Sequence, residues 1–190
     1  MADPFQDAPE IPVLLLGDPG VDHITHVSSS RLTLGLHPNT PTRTPLPTLR
    51  DLDQPFPFHI RLYNRPYRFE FSDTASPTNY TLLRPALIIL CYSIAIPSSL
   101  ANIQKYWKEV VERHFNYDES LPVILLGLGR DVRQKEDYGG RVKRLADEGE
   151  GEETGLVGRG FVYPQEGLRV AQEMRCDVYC ECSALTGEVS

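Results

Sequence analysis

Three unbroken apolar runs, IPVLLLG (11–17), ALIILCYS (86–93) and LPVILLGL (121–128), restrict this chain more than any other feature. A strand with one face in water alternates apolar and polar side chains, whereas a strand covered on both faces is apolar throughout, as in a parallel sheet packed between helices. Two further segments, FHIRLY (58–63) and YRFEFSD (67–73), do alternate. They flank Asn64-Arg65-Pro66, which predicts an antiparallel hairpin with one polar face. DVYCEC (177–182) is the sixth expected strand. The pattern predicts an α/β fold: an open, mostly parallel sheet with an antiparallel edge hairpin and flanking helices.

Helical periodicity is clearest in SSLANIQKYWKEVVERHF (98–115), with Ser98 or Ser99 expected as N-cap and Leu100, Ile103, Trp107, Val110, Val111 and His114 along one stripe. A second helix is expected over PQEGLRVAQEMR (164–175), with Pro164 at its start and Leu168, Ala171 and Met174 facing inward. HITHVSSSRLTLG, after Gly17, is rich in β-branched and hydroxyl residues and makes a poor helix on its own. The segment 37–58 carries six prolines and reads as a long surface loop, while the acidic, glycine-rich 145–160 reads as a solvated insertion.

With 190 residues the chain suits one domain, expected over 11–190 after a flexible N-terminus at 1–10. Net charge is -7, which disfavours nucleic acid and anionic lipid and leaves protein partners as the better fit. No apolar run approaches the roughly 20 residues of a membrane span, and the acidic start MADPFQDAPE does not read as a signal peptide, so a cytoplasmic location is expected. Cys91, Cys176, Cys180 and Cys182 lack zinc-site spacing and read as buried thiols.

The stretch LLLGDPGVDHITH (14–26) has the strand and first glycine of a phosphate-binding loop. Where G-x-x-x-x-G-K-[ST] places glycine, lysine and a hydroxyl, however, this chain has Asp22, His23 and Ile24. Further along stand FSDTAS (71–76), YTLLRP (80–85), CYSIAIPSSLANIQKYW (91–107), PVILLGLGRDVR (122–133) and YCECSAL (179–185). In this order these motifs resemble the Rho branch of the Ras-like small GTPases, over nearly the whole chain. That resemblance implies a P-loop small-GTPase fold, GTP or GDP with Mg2+ as ligand, and protein effectors or regulators as partners.

Carried over residue by residue, the resemblance yields a mixed site. Gly17, Gly20, His23 and Thr25 are what remains to meet phosphates, with Thr25 able to replace the lost hydroxyl only if the turn slips by one residue. Asp22 adds negative charge against a polyanion, and a lost charge-assisted hydrogen bond costs about 1.5–3 kcal/mol. Asp73 matches the metal-side aspartate, and equally suits a strand-end residue capping the next turn. Ser76 and Pro77 replace the γ-phosphate glycine and the water-orienting glutamine; proline has no N–H to orient a water, so no catalytic residue is assigned. Thr40, Thr42, Thr44 and Thr48 are all candidates for the threonine of the first switch. Asp131 matches the guanine-reading aspartate, and Ser183, Ala184 and Leu185 match the loop over the base, but Gly129 replaces the lysine that packs on it. Asp131 equally suits a turn residue in an inherited framework.

The given sequence stops at LTGEVS, where the Rho pattern continues into a last helix, so either the sequence is truncated or another chain covers that face, which is then an association surface; no prenylation motif is visible in the sequence as given. The expected function is a degenerate Rho-like domain acting in protein interaction and signalling, with weak or absent nucleotide binding and no cofactor expected; enzymatic activity, if present, would be that of an atypical GTPase. The alternative is an atypical GTPase that holds guanine nucleotide and Mg2+ through Asp131 and the Ser183-Ala184-Leu185 loop with a rebuilt phosphate site.

Overall fold

In the computed structural model of the chain, the described residues are 7–18, 55–73, 77–115, 120–135 and 160–183. They form six strands, β1 (Glu10–Gly17), β2 (Phe56–Leu62), β3 (Arg65–Asp73), β4 (Leu87–Ser93), β5 (Val123–Leu128) and β6 (Val178–Cys182). These join in one sheet of order β2-β3-β1-β4-β5-β6. Only β2–β3 is antiparallel, with Phe58 opposite Phe69 and Ile60 opposite Tyr67; every other pair is parallel. The mostly parallel sheet with one edge hairpin is thus the architecture the apolar runs predict. Tyr63 and Asn64 close the hairpin with φ of 48° and 64°, the left-handed pair that a tight two-residue turn between twisted strands requires.

The helical elements are α1 (Pro77–Tyr80), α2 (Pro97–Asn102), a π-helical turn (Ile103–Trp107), α3 (Lys108–His114), α4 (Val132–Lys135) and α5 (Pro164–Glu173). One face of the sheet packs Leu14, Leu16, Ile88, Leu90 and Tyr92 against Leu100, Ile103, Trp107, Val170 and Ala171. The opposite face gathers Val13, Leu15, Phe71, Cys91, Leu126, Leu128 and Cys182. In β1 both faces are closed, and Val13 to Leu16 are at most 1% exposed. Each such side chain, removed from water, contributes about 1.5–3 kcal/mol before the entropy cost.

Several local expectations are corrected. The helix predicted over 98–115 starts at Pro97, with Ile96 at the N-cap position and no side-chain cap. Ser99 instead folds back, its hydroxyl donating to the Ile96 carbonyl at 2.6 Å and accepting the Ser93 N–H at 3.0 Å. His114, assigned to the inward stripe, is exposed at the last position of α3, while Val110 earlier in the same helix is buried as expected. In α5, Leu168 is 45% exposed, and the buried positions are Gly167, Val170 and Ala171. Phe56 and Pro57, placed in the proline-rich loop, belong with Phe58 to β2, where an edge strand tolerates the proline opposite Glu70. Cys91 and Cys182 are buried as expected, but Cys176 and Cys180 are only half-buried, and Cys176 lies before β6 rather than in it. The rest of the proline-rich loop, its switch threonines, the segment after Asp18 and the acidic insertion up to 159 lie outside the described residues.

Candidate functional site

Parallel strands that share a direction deliver their chain reversals to one edge, and in open α/β sheets ligands bind outside those carboxyl ends. Gly17 is the last residue of β1, hydrogen-bonded in register with Cys91, and Asp73 is the last of β3, opposite Leu15. Asp131 follows β5 and Ser183 follows β6. The four described candidates therefore share the carboxyl edge of the sheet. Gly20, His23, Thr25, Ala184 and Leu185 lie outside the described residues.

Asp131 and Ser183 are brought into direct contact. The Ser183 hydroxyl donates to Asp131 Oδ1 at 2.7 Å, and the two residues are 0% and 6% exposed respectively. The chain is led there by Gly129, whose φ of +80° is costly for any side chain. Gly129 and Arg130 N–H groups both donate to the Cys182 carbonyl at 3.0 Å, stapling the end of β5 to the end of β6. A β-carbon at Gly129 would meet only Val132, at 3.8 Å, so the positive φ rather than crowding is what favours glycine there.

A second buried group lies two residues away on each segment. Arg133 Nε and Nη2 donate to the Val162 carbonyl at 2.8 and 2.6 Å, and Nη2 also reaches Glu181 Oε1 at 2.8 Å while Nη1 bonds Oε2. Glu181 also accepts the Tyr179 hydroxyl, which lies 3.1 Å from the Tyr92 hydroxyl. Burial works against the guanidinium charge, but hydrogen bonding and attraction to Glu181 outweigh it and raise the Arg133 pKa. Burial first, and then the neighbouring Tyr92 and Glu181, raise the Tyr179 phenol far above its usual value. An ion pair this buried holds only because its hydrogen bonds are satisfied. None of these residues was singled out for the site from sequence, since their partners are up to 87 positions apart.

Asp18, directly after β1, is the other residue missed. Its Oδ1 accepts the Trp107 indole N–H at 2.9 Å and its Oδ2 accepts the Asn102 amide at 2.7 Å. A buried tryptophan needs an acceptor for its N–H, which is the one signal that could have pointed there. Asp73 is half-buried, and among the described residues no group of three or more His, Cys, Asp or Glu side chains is arranged to hold a metal. Away from this edge, Tyr80, Tyr106, Glu109, Val110, Arg113 and His114 line an open cavity of about 300 Å³ between α1 and α3.

The model of the Ras family matches residues 45–189. GTP-binding protein RHO1 of Saccharomyces cerevisiae is 31% identical over 121 residues, covering 60% of this chain and 51% of the relative. The chain thus spans about half the length of that curated relative. With the sheet order, the carboxyl-edge site and a family match over well more than half its residues in agreement, the chain belongs to the Ras family.

Proposed function

We propose that this chain is a degenerate Rho-like domain that works as a protein-interaction module with weak or absent nucleotide binding. The observation that carries the reading is Asp22-His23-Ile24 in place of glycine, lysine and a hydroxyl residue. Those substitutions remove the close backbone approach, the fixed cation and the magnesium ligand together. Two facts support it. The family match begins at residue 45, beyond the strand and turn that open the chain. Pro77, at the position that orients the attacking water, opens α1, where a missing N–H is tolerated and no donor is available. Signalling through protein partners, as effector or scaffold, is the role that remains, in a cytoplasmic setting. Leu82, 81% exposed directly after α1, and Tyr106, 48% exposed on the cavity wall, suit a protein contact.

One observation favours the second reading, an atypical guanine-nucleotide site. The buried Asp131–Ser183 pair keeps a carboxylate at the carboxyl edge, the group that would accept guanine N–H donors. In this reading Asp131 would accept from the base while Asp22, His23 and Ile24 offer little to the phosphates, so any retained affinity comes from the base. Thermal unfolding with GTP, GDP and ATP in Mg2+ separates the readings, because a ligand at 100 times its Kd stabilises by about 2.7 kcal/mol. No guanine-selective shift, and no guanine nucleotide released on denaturing the purified protein, is the expected result. Stoichiometric GDP or GTP would overturn it.

A further inference from the structure

The Asp18 carboxylate is held by two donors five residues apart, Asn102 and Trp107. In an α-helix, at about 100° per residue, such positions point roughly 140° apart and could not share one carboxylate. Here the intervening Ile103–Trp107 segment is π-helical, and Lys108 N–H closes on the Ile103 carbonyl. Hydrogen bonding from i to i+5 stacks residues five apart, so the π-helical turn is what brings both donors onto one face. Such a turn forgoes regular helical packing, and it persists here with a defined acceptor.

The same indole faces the other way onto α1. Tyr80, 2% exposed, packs edge-on against Trp107 with ring centroids 6.5 Å apart and also meets His114 at 5.8 Å and Phe115 at 6.4 Å. Tyr80 is the last residue of a four-residue helix, too short to hold itself, so its ring is the anchor of α1. Trp107 therefore ties the residue after β1 to the element after β3 through one buried side chain.

We propose that Asp18, Asn102 and Trp107 form a latch that fixes α1 and the cavity face beside α3 in one arrangement without a bound nucleotide. This rests on the interaction-module reading and adds to it the means by which the face is kept formed. Hydrogen exchange of the full chain tests it, together with the emission of Trp107, the only tryptophan. In Asp18→Ala, amides at 78–82 exchange on the order of tenfold faster while those of β5 are unchanged, and the tryptophan emission shifts, as local rather than global opening requires. Asp18→Asn, which keeps a single acceptor oxygen for Trp107, gives a smaller increase at the same amides and carries the test should the alanine variant not fold. Unchanged exchange at 78–82 in the asparagine variant, or equal loosening of β5, overturns the latch. Wild-type protein with and without Mg2+ and GTP gives the separate arm. No change at 78–82 is expected, and slowed exchange there would overturn the nucleotide-independent reading whatever the Asp18 variants show.

Discussion

At the scale of single residues, the half-buried Cys176 thiol shows how far position outweighs type. Burial, with Asp177 adjacent, pushes its pKa up from 9.0 to about 11. A thiol whose folded pKa is raised favours the folded state fully below its ordinary value, and that contribution disappears as pH rises from near 9.0 through about 11. Urea unfolding across this window should show Cys176→Ser losing less stability than the parent. Gly167, on the buried side of α5, is a second such position: a β-carbon there would collide with the Tyr179 and Tyr92 hydroxyls. Gly167→Ala should destabilise by about 1–3 kcal/mol in denaturant titration, as overpacking does, and Tyr92→Phe with Tyr179→Phe should recover part of it. Neither residue announced its position in sequence, whereas Asp131 and Ser183 could be placed beyond the ends of their strands, because a motif fixes their spacing. What the motif could not tell was that they bond to each other.

Between elements, the Arg133–Glu181 pair holds α4 to β6 and, through the Val162 carbonyl, to the approach to α5. The Tyr163 N–H then donates to Glu166 at 2.8 Å, so the start of α5 is set by the same segment. Glu181→Ala leaves a buried guanidinium unpaired, at a cost of about 3–5 kcal/mol, while Arg133→Met combined with Glu181→Leu should cost less than the single change. A double-mutant cycle by chemical unfolding measures the difference. The helix over 97–114 makes the complementary point. Its existence and its Leu100, Ile103, Trp107 and Val110 stripe are plain from periodicity, but its π-helical turn is not, because nothing in a 3.6-residue pattern marks one extra residue per turn.

For the whole molecule, both faces of the sheet's central strands bury apolar side chains, and on one of them the hydroxyls of buried Tyr92 and half-buried Tyr179 meet. Burial raises the pKa of Tyr92 and Tyr179 well beyond the ordinary tyrosine range. Their contribution to stability is complete below the ordinary tyrosine value near 10.0 and is lost as pH climbs above it. These two tyrosines should titrate only with alkaline unfolding, seen as a cooperative rise in phenolate absorbance coincident with loss of circular dichroism. The sequence by itself determined the α/β class, the parallel centre, the edge hairpin and the family, because burial on two faces writes unbroken apolar runs and because motifs keep their order along the chain. It also carries Asp22, His23 and Ile24 after the first strand, on which the proposed loss of the phosphate cradle rests. Only the tertiary structure decided that Ser183 holds Asp131, that Arg133 finds Glu181, and that Asp18 receives Asn102 and Trp107. Each of those bonds joins residues 48 to 89 positions apart. Side-chain pairing at such separation is set by strand order and helix phase, which no local pattern encodes.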